Sequence, residues 1–143
     1  MEFIEWSDSM STGVKIVDDD HKILLSLLNQ LYKYVNSKEE REVLGNALDK
    51  LVDYTVYHFD REEKIMQAGH YPNLQKHHKI HENLKAQVAK IAHQFNEQKE
   101  DVIAQELLEF LKDWLINHIL KEDMAFRPFC EDNNEVDKLI AKL

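Results

Sequence analysis

Leucines and aromatic residues recur at intervals of three and four along most of this chain, and glycine or proline rarely interrupts them. The first stripe runs His21, Leu24, Leu25, Leu28, Leu31, Tyr32 and Val35. It follows Asp18, Asp19 and Asp20, residues suited to cap a helix start and to complement its dipole. The second stripe, Leu44, Leu48, Leu51, Thr55, His58, Glu62 and Met66, lies behind Ser37 and Glu40 at capping-box spacing and ends at Gly69 and Pro72. The third, Leu74, His77, His81, Leu84, Val88, Ile91 and Phe95, begins beside Pro72 and runs out in the polar "NEQKED". The fourth opens beyond Asp101 with Leu107, Leu111, Trp114 and His118, and Pro128 ends it.

Four long helices joined by short polar connections predict an all-α fold, an up-down-up-down antiparallel four-helix bundle over about residues 18–127. Residues 1–17 read as an irregular arm whose Trp6, Val14, Ile16 and Val17 pack across the bundle. The tail, about 128–143, has room for a short amphipathic helix from about Asn134 to Leu143.

Composition narrows the function classes. A length of 143 residues, 43% hydrophobic and 31% charged, suits one globular domain. A net charge of -9, with 27 acidic against 18 basic residues, repels a phosphate backbone, so nucleic acid is not an expected partner. No apolar run approaches the roughly 20 residues that cross a bilayer, so no membrane partner is expected either. The start "MEFIEWSDSM" has no basic leader or long apolar stretch, and the single Cys130 has no internal partner; both suit the cytoplasm.

The polar residues on the stripes carry the chemistry. His21, His58, Glu62, His77, His81 and His118 stand where periodicity demands apolar side chains. Burying them costs kilocalories each unless they pair with one another or bind something. Each alone reads as a hydrogen-bonded core residue. Together they place at least one such group on every helix, and His58 with Glu62 and His77 with His81 are stacked one turn apart, as ligands of a bundle metal site are. His78 lies about 100° around the helix from His77 and points outward; His70 in the Gly-Pro turn and His93 beside its stripe are solvated. Cys130 lies off the bundle as a bystander.

Helix four poses a choice that spacing leaves open. Glu122 is i+4 from His118, the ideal separation, whereas Asp123 is i+5 and falls on the row of Leu115, Ile119 and Phe126. Asp123 shares a site only if that row also faces inward or the helix is locally widened.

As a whole the chain resembles the hemerythrins, in particular the single-domain bacterial ones. The resemblance rests on His21 in "DDDHK", "HFDRE" with His58 and Glu62, "HHKIH" with His77 and His81, and "HILKED" with His118 and Asp123, supported by Trp6, "MQAGHYP" and "DWLINHI". It implies two iron ions, oxo- or hydroxo-bridged, one held by His77, His81 and His118 and the other by His21 and His58. Glu62 and Asp123 would bridge them, and dioxygen would take an open position on the second iron. It also implies an oxygen pocket lined by Leu24, Phe59, Trp114, Leu115 and Ile119, residues that ordinary core packing explains as well. Phe126 departs from the tyrosine of many animal carriers. The expected function is reversible dioxygen binding for delivery, storage or scavenging, without catalysis; the rival is a di-iron enzyme acting on peroxide or nitric oxide, or in iron-sulfur repair. A zinc hydrolase fits poorly, because residue 78 is histidine where His-Glu-x-x-His needs glutamate. No protein partner is legible.

Overall fold

A computed structural model of the chain describes residues 3–37, 41–97 and 102–143. Its main helices are α1 (Lys15–Asn36), α2 (Arg41–Ala68), α3 (Leu74–Glu97) and α4 (Val102–Asn117). α1 packs on α2 and α2 on α3, while α4 closes the ring against α1 and α3, as the periodicity predicts for an antiparallel four-helix bundle. Glu40 and Asp101 of the predicted helix ends lie outside the described residues, as does the side chain of Leu107.

Two of the predicted helix signals work differently. The aspartate run does not precede α1; Val14 is its N-cap, without a side-chain cap bond, and the arm therefore ends at residue 14 rather than 17. Asp18 instead turns back to the arm, accepting hydrogen bonds from Ser11 Oγ at 2.6 Å and from the backbone N–H and hydroxyl of Thr12 at 2.8 Å each. At the end of α2, it is His70, with φ 55°, that takes the left-handed conformation, and Tyr71 N–H closes the turn on Met66 C=O at 3.0 Å. Gly69 is needed for space: a Cβ there would lie 2.7 Å from Cys130 Sγ and 2.9 Å from the Phe129 carbonyl oxygen.

The arm lies along α1. Asn29 exchanges two hydrogen bonds with the Ile4 backbone, at 2.9 and 2.8 Å, and Phe3 stacks on Tyr32 with ring centroids 4.3 Å apart. Beyond α4 the chain continues through a π-helical turn (His118–Asp123), a 3-10 turn (Met124–Phe126) and the short α5 (Arg127–Cys130), so Pro128 lies in the first turn of a new helix. The tail helix exists as α6 (Asn134–Ile140), where the Asn133 side chain caps Glu135 N–H and Val136 N–H.

Buried apolar residues gather in two clusters. The larger holds Leu24, Leu28, Leu48, Phe59, Leu111 and Ile119 among others. The smaller, at the other side of the polar stripe residues, joins Val17, Ile65, Met66, Phe126, Cys130 and Val136. Among the described residues no helix is long and apolar enough to cross a membrane.

Replacing Asp18 with alanine leaves the buried Thr12 donors without their acceptor and should lower unfolding free energy by about 2 kcal/mol. A denaturant titration followed by circular dichroism should show the lower midpoint with unchanged helical signal.

Candidate metal centre

Each of the four helical arms of the bundle sends a polar side chain into the layer between the two clusters: His21 from α1, His58 and Glu62 from α2, His77 and His81 from α3, His118 and Asp123 from the π-helical turn. None is more than 4% exposed. Their donor atoms form two sets, each within 4.8 Å of itself: Glu62, His77, His81, His118 and Asp123 in one, His21, His58, Glu62 and Asp123 in the other. The two carboxylates belong to both.

The division runs down to individual oxygens. Glu62 Oε1 lies 3.0 Å from His77 Nε2 and 3.2 Å from His81 Nε2, whereas Oε2 lies 2.9 Å from His58 Nε2 and 3.5 Å from His21 Nε2. Asp123 Oδ1 lies 2.9 Å from His118 Nε2 and 3.2 Å from His77 Nε2, with Oδ2 2.9 Å from His21 Nε2. Each carboxylate thus turns one oxygen to the three-histidine set and the other to the two-histidine set.

Only some of these groups satisfy one another at contact distance: His77 Nε2 pairs with Glu62 Oε1 at 3.0 Å, but other donor atoms of the cluster are left unpaired. His21 Nε2, His58 Nε2, Glu62 Oε2 and both Asp123 oxygens are buried and make no hydrogen bond. His81 Nε2 and His118 Nε2 face each other at 3.0 Å, a hydrogen bond that needs one of the two rings to carry its proton on Nε2. Lone pairs aimed at a common point and left unpaired in a dry interior are what a cation satisfies.

Charge in the layer is strongly redistributed. Burial is the largest influence on His21, His77 and His118 and opposes their charged forms, yet Asp123 and Glu62 outweigh it and hold these imidazoles up at about 9, 9 and 10. Burial likewise pushes Glu62 and Asp123 up, and in Asp123 the facing Glu62 adds to it, but the surrounding histidines bring both carboxyls below their ordinary values. Without metal the layer therefore keeps protons at neutral pH, and a bound cation must displace them.

Of Glu122 and Asp123, the backbone brings Asp123 into the cluster. Residues 118–123 form a π-helical turn, and the extra residue brings the i+5 carboxylate under His118. Asp123 is fully buried in both donor sets, and Glu122 belongs to neither. Leu24, Phe59, Trp114, Leu115 and Ile119 all lie in the larger apolar cluster. Phe59 stacks on His81 at 3.8 Å between centroids, and Trp114 lies parallel to His118 at 6.4 Å. Phe126 is fully buried, its ring 6.0 Å from that of His77, and offers no hydroxyl.

Of the residues expected outside the centre, His70, His78 and His93 are exposed. His78 nevertheless pairs with Glu63, whose other oxygen is 3.2 Å from His81 Nδ1. Cys130 is not off the bundle: it is 1% exposed in the smaller cluster, and burial pushes its thiol up to about 11. It joins neither donor set. Sequence reasoning missed Asp20, which is buried against His58 Nδ1 at 3.0 Å and also receives Tyr54 and Arg61. Its signals were the spacing from Asp20 to Leu24 along the core stripe and the placing of Tyr54, His58 and Arg61 on one face of α2.

Comparison with known proteins agrees with this geometry. A family model described as Hemerythrin HHE cation binding domain matches residues 12–130. Over 126 residues the chain is 32% identical to bacteriohemerythrin of Stenotrophomonas maltophilia, covering 88% of this chain and 80% of that one. It is 33% identical over 129 residues to bacteriohemerythrin of Methylococcus capsulatus, covering 90% and 97%. A crystal structure of wild-type hemerythrin matches with a TM-score of 0.83 at 32% identity, covering 90% of this chain and 98% of the other. With the match running through all four arms of a buried cluster able to hold metal ions, the chain belongs to the hemerythrin family, whose members carry a di-iron centre.

Proposed function

We propose that this chain binds dioxygen reversibly, for delivery, storage or scavenging, at a di-iron centre held by these seven side chains. His77, His81 and His118 would hold one ion and His21 and His58 the other, with Glu62 and Asp123 offering an oxygen to each. The observation that carries the assignment is the turning of each carboxylate's two oxygens to different histidine sets. Hemerythrins bind dioxygen, and an iron pair held here would supply the reversible two-electron chemistry that such binding needs. The two-histidine set offers four donor groups against five in its neighbour, which leaves the smaller set more room for an exogenous molecule.

What the protein adds is dryness and a fixed donor set. Leu24, Phe59, Trp114, Leu115 and Ile119, none more than 8% exposed, keep water and protons from the bound gas, and either would promote its loss in reduced form. None of these five residues is a general acid or base, which favours binding over turnover. Five imidazoles and two carboxylates also compensate less positive charge than the Glu-rich sets of ferritin-like enzymes.

Changing His77, His81 or Glu62 to alanine should abolish the uptake of two irons per chain, read by metal analysis of protein reconstituted under anaerobic conditions; full loading of these variants would remove the assignment. Asp123→Ala should impair loading far more than Glu122→Ala, by more than the roughly 100-fold in affinity that marks the upper end for an outer-shell partner, and the opposite order would show that Glu122 serves instead. The reduced, loaded protein should develop a new visible absorption on exposure to oxygen and lose it on argon flushing through several cycles. Irreversible decay with accumulation of a product would point to the enzyme.

A further inference from the structure

We infer that Asp20 is a positioning residue for the metal centre: it holds His58 by Nδ1 so that the ring presents Nε2 toward Glu62 and the ion. This inference rests on the ligand assignment proposed above.

Asp20 is a carboxylate with its side chain 2% exposed, an arrangement that costs several kilocalories unless its oxygens are paired. Four donor contacts pair them. His58 Nδ1 and Arg61 Nε reach Oδ2 at 3.0 and 3.1 Å, while the Tyr54 hydroxyl and Arg61 Nη2 reach Oδ1 at 2.7 and 2.8 Å. Arg61 is itself fixed from outside, donating to the Tyr57 hydroxyl at 2.6 Å. Asp20 therefore has little freedom to turn, and its charge is balanced by the guanidinium rather than by the imidazole alone.

The consequence for His58 follows from proton counting. In its neutral, metal-binding form the imidazole carries one N–H, and an ionised carboxylate can only accept, so Asp20 keeps that proton on Nδ1 and leaves the Nε2 lone pair to the ion. That Nε2 is 2.9 Å from Glu62 Oε2 and makes no hydrogen bond, the geometry of a ligand atom held ready. Neither His21 Nδ1 nor His118 Nδ1 has a hydrogen-bond partner. His81 Nδ1 has Glu63, but that side chain is 19% exposed and shared with the surface His78. The fully buried orienting carboxylate therefore falls on one side of the centre, the two-histidine side.

The test combines metal affinity with a spectroscopic signature. Anaerobic chelator competition with Fe(II) should show that Asp20→Ala weakens one of the two bound ions by about 10–100-fold and leaves the other unchanged. Asp20→Asn, whose amide oxygen still accepts from Nδ1–H, should recover most of the loss, and Tyr54→Phe should produce a smaller loss in the same ion. Proton–nitrogen NMR of the metal-free chain should find a His58 Nδ1–H sheltered from exchange, present in the wild type and lost in Asp20→Ala. If Asp20→Ala does not fold, the other two variants carry the same comparison. Wild-type protein that takes up fewer than two irons overturns the proposed function, and the Nδ1–H signal then decides the role of Asp20 by itself. Two irons bound equally tightly by all chains, with the His58 signal unaltered, overturn only the role of Asp20.

Discussion

Seven ionisable side chains buried in one layer of a small bundle are an expense that packing alone cannot recover, because each unpaired polar atom in a dry interior costs on the order of 1–3 kcal/mol. The layer tolerates them only through mutual attraction between imidazoles and carboxylates, or through a cation that collects their lone pairs. Everything around it follows from that constraint. The helices must bring donors from four directions to one level, and the apolar residues above and below must seal that level from water. Val17 and Leu24 bracket His21 on α1, Phe59 and Ile65 bracket Glu62 on α2, and Ile119 and Phe126 bracket Asp123 after α4; in each pair one residue belongs to the larger cluster and the other to the smaller.

This division gives the molecule an unusual core. The two apolar clusters are separated by polar side chains rather than by a domain boundary, and the smaller one draws on α1, α2, α5 and α6 together. Ligation and folding are consequently linked, since metal binding free energy acts on the layer that joins the two halves. Asp20 and Arg61 extend the layer outward from His58, and Glu63 and His78 extend it from His81, so the polar network reaches solvent at its edges while its centre stays dry.

Much of this was legible from residue order. The stripes gave four helices because leucine spacing has the helical period, and the inward histidines stood out because they occupy leucine positions. Identity at a position was readable; local backbone geometry was not. The register of Asp123 depends on a π-helical turn that no propensity marks, so spacing favoured Glu122 and only resemblance pointed to its neighbour. The aspartate run misled for a related reason: acidic residues suit a helix start in general, but Asp18 answers to Thr12 in the arm and Asp20 to His58 across the bundle, pairings set by tertiary contact. Cys130 was misplaced because Pro128 resembles a terminator, whereas here it begins a turn that folds the chain back onto the end of α2.

The turn at residues 118–123 has an effect beyond the carboxylate it delivers. One surplus residue in a helix advances the angular phase of everything after it by about 100°. Phe126 and Cys130 inherit that offset, and both end fully inside the smaller cluster. The far end of the bundle is thus indexed to the metal layer: the turn that sets Asp123 among the donors also sets the angle at which the chain enters the 3-10 turn and α5, the two pieces that lay the floor of the core.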